Sequence, residues 1–585
     1  MKRFFPLFVF SALFLFSCST DSRTDADRDF EELTGRFLDH YLRMHPEDAS
    51  ALGVRAYDHR LNDYSADGMA AALNMFRAYR DTLRSIRVET LSAAHMIDYD
   101  IFQQVLEEHI FELEELREWE WNPLTYNVTD ALYHLIAREG VSLESRMRAM
   151  VQRLQAVPAV LESAQRQLTR PPAIHTQTAI QQNAGGIALL ENTLPALGES
   201  LPPTLRDSLH AARDRAVSAL RVYGHWLRAD LLQRSTGDFR LGRERYARKF
   251  ALQLETDMPP EQLLAEAERL LVECTDELDV TATSLFPVLF PGATPPGRVE
   301  EGIRRVLDRL ADDHLDDSTI VGQAEAYLTR ARDFVRTHDL VTVPDEPLEI
   351  IVMPEFQRGV AVAYCDSPGA LEKDGKTFFA IAPTPEHWTP TRKLSFYREY
   401  NRHMLKNLVV HEAMPGHFLQ LATANSTEAP TLLRSVFPSG VFAEGWATYC
   451  EQLMADTGFG GQEMKMQQLK MYLRLLINAI LDQRVHAGTI TEREAMQLMT
   501  ERGFQEEGEA AGKWRRACLT SVQLSTYLFG NLRMRALRER AEAEAGSSFS
   551  LRGFHDTVLS YGTISPKYHP MLMKLPAPQQ VVAQR

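Results

Sequence analysis

The chain has 585 residues, 44% hydrophobic and 24% charged, with 31 glycines and 29 prolines, a globular composition that excludes collagen-like, low-complexity and disordered classes. Its formal net charge of −15 leaves no cationic excess to neutralise phosphates, which excludes non-specific nucleic-acid binding. Five cysteines in so long a chain exclude a disulfide-stapled miniature fold.

The first predicted element is an export signal. Lys2 and Arg3 form a positive start, and Phe4 to Phe16 an apolar stretch. That stretch is shorter than the roughly 20 residues a membrane span needs, but it suits a signal peptide. It ends in Leu15-Phe16-Ser17-Cys18, which resembles a bacterial lipobox and implies lipidation of Cys18; a plain secretory signal with an incidental cysteine is the alternative. Residues 1–17 are then the signal, 18–27 a polar lipidated tether, 28–340 an N-terminal helical region and 341–585 a catalytic region. With no later long apolar run, membrane contact is expected through the N-terminal lipid alone. The expected location is the periplasmic face of the bacterial envelope. Ser19 after the cysteine, rather than Asp, favours the outer membrane.

From Asp27 to Leu340 the apolar spacing is helical almost throughout. In Pro259 to Leu278, for instance, Leu263, Ala267, Leu270, Leu271, Cys274 and Leu278 recur on one face. Pro171-Pro172, Gly185-Gly186, Pro202-Pro203 and the segment Phe290 to Gly297 read as breaks. After Val341 the runs 348–353, 360–365 and 377–381 read as short strands, expected to form a small antiparallel sheet. Helical pattern resumes near Thr391 and runs to Ser560. Tyr397 to His403 reads as helix surface and helix N-terminal structure rather than as ligand. The fold class is mainly α, a large two-lobed helical body with a small sheet preceding a candidate metal helix.

That helix holds His411-Glu412-Ala413-Met414-Pro415-Gly416-His417. A zinc hydrolase needs neutral imidazoles as ligands and a carboxylate beside the open coordination position. His-Glu with a second His one turn later supplies both on a single helix face. Here the second histidine is six residues on, roughly 240° around an undistorted helix. Pro415 and Gly416 predict a kink that returns His417 to the metal; the alternative is a kinked core helix whose histidines only hydrogen-bond. A second segment, Phe442 to Glu451, sets Glu444, Thr448 and Glu451 on one face of an otherwise apolar helix. Buried carboxylates need a partner or a metal. Glu444 is the expected third ligand and Glu451 the group that orients a ligand by hydrogen bond. A salt bridge from Glu444 to an arginine such as Arg434 is the alternative.

HEAMPGHFLQ (His411 to Gln420) and EGWATYCE (Glu444 to Glu451) resemble the two signature blocks of a bacterial family known as domain of unknown function 885, many of whose members are lipoproteins. Phe554-His555-Asp556 and Tyr561-Gly562 extend the resemblance toward the C-terminus. The family is similar in layout to helical metallopeptidases related to angiotensin-converting enzyme and oligopeptidases. That likeness implies a small sheet before the metal helix, a glutamate on a later helix and a deep channel between two lobes.

The expected activity is hydrolysis of peptides with one zinc ion per chain, ligated by His411, His417 and Glu444, with Glu412 as general base. Tyr527, then His555 and Tyr561, are candidate donors to the developing oxyanion. Arg533, Arg535, Arg538 or Lys567 is a candidate for a substrate carboxylate, and the strand at 360–365 for pairing with an extended peptide. Two alternatives stand: a non-catalytic envelope binding or scaffold lipoprotein, and a metal-dependent amidase of non-peptide substrates.

Overall fold

The structure, a computed structural model, describes residues 24–137, 140–353, 363–372, 377–385, 388–425 and 429–576. The export signal and Cys18 lie outside the described residues. Thr24 opens the first helix, Asp25–Met44, through a reciprocal cap: its hydroxyl accepts the Asp27 N–H at 3.0 Å while the Asp27 carboxylate accepts its own N–H at 3.2 Å. The polar tether expected to reach residue 27 therefore ends earlier, because Asp25 to Asp27 supply the acidic first turn that a helix dipole favours.

The predicted helices are present, with one difference among the expected breaks. Gly185-Gly186 lies inside the helix Ala173–Asn192. A Cβ on Gly186 would sit 2.7 Å from the Thr129 hydroxyl, so this glycine serves close packing rather than a turn. The helices that frame the site are α1 (Ala93–Phe111), α2 (Pro260–Leu289), α3 (Pro390–Glu399), α4 (Arg402–Glu412), α5 (His417–Asn425), α6 (Gly440–Asp456), α7 (Gly461–His486), α8 (Glu507–Leu519) and α9 (Gln523–Ala545). Among the described residues, no helix is long and apolar enough to cross a membrane.

Three strands, β1 (Leu348–Val352), β2 (Ala363–Asp366) and β3 (Thr377–Ile381), form one sheet in the order β1-β3-β2. β2 pairs antiparallel with β3, but β1 pairs parallel with it, so the sheet is mixed rather than antiparallel as expected. The segment joining β1 to β3 is long enough for the crossover that parallel pairing requires, and β2 is folded out of it. β3 takes the centre because Phe379, Ala380 and Ile381 are fully buried. The predicted second strand begins at Ala363; its expected start at 360–362 lies outside the described residues.

Phe379 and Ile381 share a core with Leu405, Val409 and Val410 of α4, Phe418 of α5 and Trp446 and Tyr449 of α6. Leu263, Leu270 and Leu278 of α2 share another with Leu473, Ile477 and Leu481 of α7, so packing runs unbroken across residue 340. α6 and α9 touch backbone to backbone where Gly445 meets Gly530: a Cβ on Gly530 would lie 2.3 Å from the Val441 carbonyl and 2.7 Å from Gly445 Cα.

Candidate metal centre

Asn401 caps α4 by accepting the N–H groups of His403 and Met404, and the helix ends at Glu412. Pro415, without an N–H, cannot continue it, and the Met414–Pro415 peptide is cis. The chain doubles back onto the last turn of α4, where the Gly416 N–H donates to the Val410 carbonyl at 3.0 Å. Only glycine fits there, because a Cβ would lie 1.9 Å from the His411 carbonyl oxygen. α5 then starts at His417. The Pro415 carbonyl accepts the Trp446 indole N–H at 2.9 Å, and the Cys450 thiol lies 3.7 Å from it. The helix that carries Glu444 thus also grips the bend.

The expected kink is a complete break between two helices, and it brings His417 back beside His411. The two rings meet edge to face with centroids 4.7 Å apart. Glu444 Oε2 lies 3.6 Å from His411 Nε2 and 3.7 Å from His417 Nε2, and one ligand atom from each residue falls within 4.8 Å of the others. Ligand atoms about 2.1 Å from a zinc ion at tetrahedral angles are roughly 3.4 Å apart, so the set fits that ion. The donor chemistry fits too. Glu444 Oε2 is buried and accepts no hydrogen bond, a costly state for a carboxylate oxygen unless a cation joins it. Arg434, the alternative partner, is engaged elsewhere, donating to Asp98 at 2.6 Å.

Glu451 takes the place expected of it. Its Oε1 lies 2.7 Å from His411 Nδ1, and its Oε2 accepts from Asn407 Nδ2 at 2.6 Å. A carboxylate on Nδ1 holds that proton in place, so Nε2 is the nitrogen that would give up its proton to take a metal. Burial depresses the His411 pKa, but the Glu451 hydrogen bond and charge, with Glu412 and Glu444, outweigh it and push it up to about 10. Burial and the His411 charge hold His417 well below its usual range, in the neutral form a metal ligand needs. Burial likewise raises Glu412 to about 7 against the opposing charge of His411, while Glu444 adds to the rise and the Cys365 backbone of β2 opposes it. A carboxylate with that pKa is poised to exchange protons near neutrality.

Tyr527 of α9 stands at the site: its hydroxyl accepts from Arg516 Nη2 at 3.0 Å and Gln523 Nε2 at 3.2 Å. Burial raises the Glu444 pKa, while the charges of His411 and Arg516 and the Tyr527 hydroxyl oppose that rise. His555 is placed differently. It is fully buried, with Nε2 2.8 Å from the Tyr449 hydroxyl and Nδ1 2.6 Å from the Leu340 carbonyl, so both nitrogens are occupied in a core contact. Tyr561 donates to the Leu572 carbonyl at 3.3 Å and packs on His569, in the core that includes Phe37 and Phe102. The candidate carboxylate binders are engaged as well. Arg533 lies over Phe529, Arg535 reaches the Tyr472 hydroxyl, Arg538 bonds Glu542 and Tyr449, and Lys567 pairs with Asp100 at 2.9 Å. Of residues 397–403, expected at a helix surface and in helix N-terminal structure, Asn401 to His403 do open α4, but Tyr397, Glu399 and Tyr400 are buried rather than at the surface, with Glu399 paired to Lys470 of α7 at 2.8 Å.

Sequence reasoning missed Asn407, Gln523 and Arg516. Asn407 lies four residues before His411, so helical spacing alone places both on one face; the other two needed the packing of α8 and α9 beside α6.

Fold and site together define a mostly helical protein with a His-His-Glu cluster built on a broken helix and a carboxylate neighbour. The chain belongs to the bacterial family of proteins of unknown function DUF885, which it matches over residues 46–569. It is similar to a candidate lipoprotein of unknown function from Shewanella oneidensis, at 29% identity over 93% of this chain and 99% of that one, with a TM-score of 0.80. A candidate lipoprotein from Colwellia psychrerythraea shares the fold at 18% identity, over 94% of this chain and 98% of the other, with a TM-score of 0.76. No curated protein matches the chain.

Proposed function

We propose that the protein is a zinc-dependent peptidase of the bacterial envelope, tethered by lipid at Cys18. The observation that carries the reading is the buried, unbonded Glu444 Oε2 within 3.7 Å of two imidazole Nε2 atoms. His411, His417 and Glu444 would hold the ion, which when bound supplies a Lewis acid to polarise a peptide carbonyl and acidify water. Glu412 accepts the proton from the attacking water on its carboxylate and passes it to the leaving amine. Tyr527 donates from its hydroxyl to the oxygen on which charge develops, with Arg516 and Gln523 fixing its position. β2 is an edge strand whose Cys365 backbone lies beside Glu412, so an extended peptide can add to the sheet with its backbone near that carboxylate. Lipid anchoring is supported by Cys18 and by the lipoprotein character ascribed to both structural relatives.

Elemental analysis of the purified protein is expected to find about one zinc per chain, lost in a His411→Ala, His417→Ala double variant. Glu412→Gln is expected to retain zinc and lose about 100-fold to 10,000-fold in hydrolysis of a mixed peptide library, since the base is removed and the ligands stay. A metal-free wild type, or an active Glu412→Gln protein, overturns the proposal. Cleavage of simple amides but no peptides assigns the site to an amidase.

A further inference from the structure

Near the candidate metal centre stand Arg516, whose charge reaches Glu444, and Lys513, three residues before it on the same helix. On α8, Glu509, Lys513 and Arg516 recur at helical spacing and share a face. Glu509 pairs with Arg474 of α7, which also lies 3.8 Å from Glu399, and Glu399 in turn holds Lys470. Those four charges compensate one another. Lys513 does not join them: it is 7% exposed and makes no hydrogen bond or ion pair among the described residues. Burial and the charges of Arg474 and Arg516 all push its pKa well down. Arg516 has only neutral partners, Gln523 at 2.7 Å and the Tyr527 hydroxyl at 3.0 Å. Through Tyr527 this cationic wall adjoins Glu444, whose ionised form the Arg516 charge favours.

A basic side chain only 7% exposed and without an anionic partner is costly to keep charged. Placing it near two guanidinium groups raises that cost, unless an anion completes the set. Of the cations expected from sequence to do this, Arg538 and Lys567 pair with carboxylates, Arg535 reaches the Tyr472 hydroxyl and Arg533 lies over the Phe529 ring. We infer that Lys513 and Arg516 form a subsite for a substrate carboxylate, the free C-terminal group of a peptide, so that cleavage is counted from the C-terminal end. This rests on the peptidase reading and narrows its substrates to peptides with an unblocked C-terminus.

The test uses three N-acetylated peptides of one sequence: a free acid, a C-terminal amide, and an amide with aspartate as its last residue. A hydrogen bond to a charged group contributes about 1.5–3 kcal/mol, so kcat/KM is expected to be about 10-fold to 100-fold higher for the acid than for the plain amide. In Lys513→Met that ratio is expected to fall toward one; in Lys513→Arg it should persist. Lys513→Met keeps the length of the side chain and relieves its repulsion by Arg474 and Arg516, so it should melt no lower than wild type. Equal rates on acid and amide, or a ratio unchanged in Lys513→Met, overturn the subsite. An aspartyl amide as good as the free acid overturns the C-terminal assignment in favour of an acidic side chain. Should wild type cleave none of the peptides, the peptidase reading fails and calorimetric titration decides the subsite. Preferential binding of the acid, lost in Lys513→Met, supports it, and equal or no binding overturns it.

Discussion

Gly416 carries a constraint that no side chain can share. Its Cα faces the His411 and Val410 carbonyls so closely that a Cβ would lie 1.9 and 2.4 Å from them. Gly416→Ala must therefore push α5 away from α4 and carry His417 with it. The expected outcome is a folded protein of lower stability, by about 1–3 kcal/mol as for other overpacked sites, that loses the proposed zinc on dialysis. Metal content and a thermal melt measure the two effects separately. Glu451→Gln tests a subtler contribution. Losing the carboxylate that holds His411 Nδ1 should weaken the proposed zinc binding about 10-fold to 100-fold, read by competition with a chelator. At this scale the sequence was legible where chemistry and spacing coincide, as in His411, Glu412, Glu444 and Glu451. The fate of His555 was not legible, since an imidazole that serves a core hydrogen bond has the same letter as one that faces substrate. Nor was that of Lys513, whose meaning depends on what α7 and α9 bring beside it.

Elements were readable to the extent that each is a local periodicity. The helices follow from apolar spacing, and the break before His417 follows from Pro415-Gly416. Strand order did not follow, because it is decided by the connection and not by the strands: the residues of β1 fit a parallel or an antiparallel neighbour equally well. One side chain ties the far end of the sheet to the helix that follows. Asp317 accepts from the Thr384 N–H at 2.6 Å and hydroxyl at 2.8 Å, just after β3, and from Tyr397 at 2.6 Å and Lys393 at 3.0 Å on α3. Burial acts to raise its pKa, but the Tyr397, Thr384 and Lys393 bonds outweigh it and hold it at about 2, below the ordinary 3.8. A folded-state pKa below the unfolded one adds stability above the unfolded value that is lost as pH falls through the folded value. The side chain is 41% exposed, and after discounting for screening its contribution is about 1 kcal/mol at pH 7, falling to about half by pH 3. Urea midpoints of wild type and Asp317→Asn at the two pH values check this; a gap that widens at pH 3 contradicts the assignment.

At the scale of the whole molecule, the site depends on residues more than three hundred positions away, and this dependence was the least visible in the sequence. The segment that joins α5 to α6, and so spaces His417 from Glu444, is fastened to α1 of the N-terminal region. Asp98 of α1 is fully buried and accepts from Arg434 Nε at 2.6 Å and from the Thr431 hydroxyl at 2.7 Å. Arg434 also reaches the Ala94 carbonyl at 3.1 Å, and Leu433 and Val436 enter the core built by Phe30, Phe37 and Phe102. Removing one partner of a buried pair leaves the other charged and unmatched, at a cost of about 3–5 kcal/mol. Asp98→Ala is thus expected to lower the melting temperature and, by loosening the segment between the helices that carry His417 and Glu444, to weaken retention of the proposed zinc although Asp98 touches none of the three candidate ligands. Replacing both partners, Asp98→Ala with Arg434→Met, removes the orphaned charge and should recover much of the stability. Calorimetric melts with parallel metal analysis test both parts. If Asp98→Ala melts lower but keeps its zinc, the N-terminal region stabilises the fold without positioning the site.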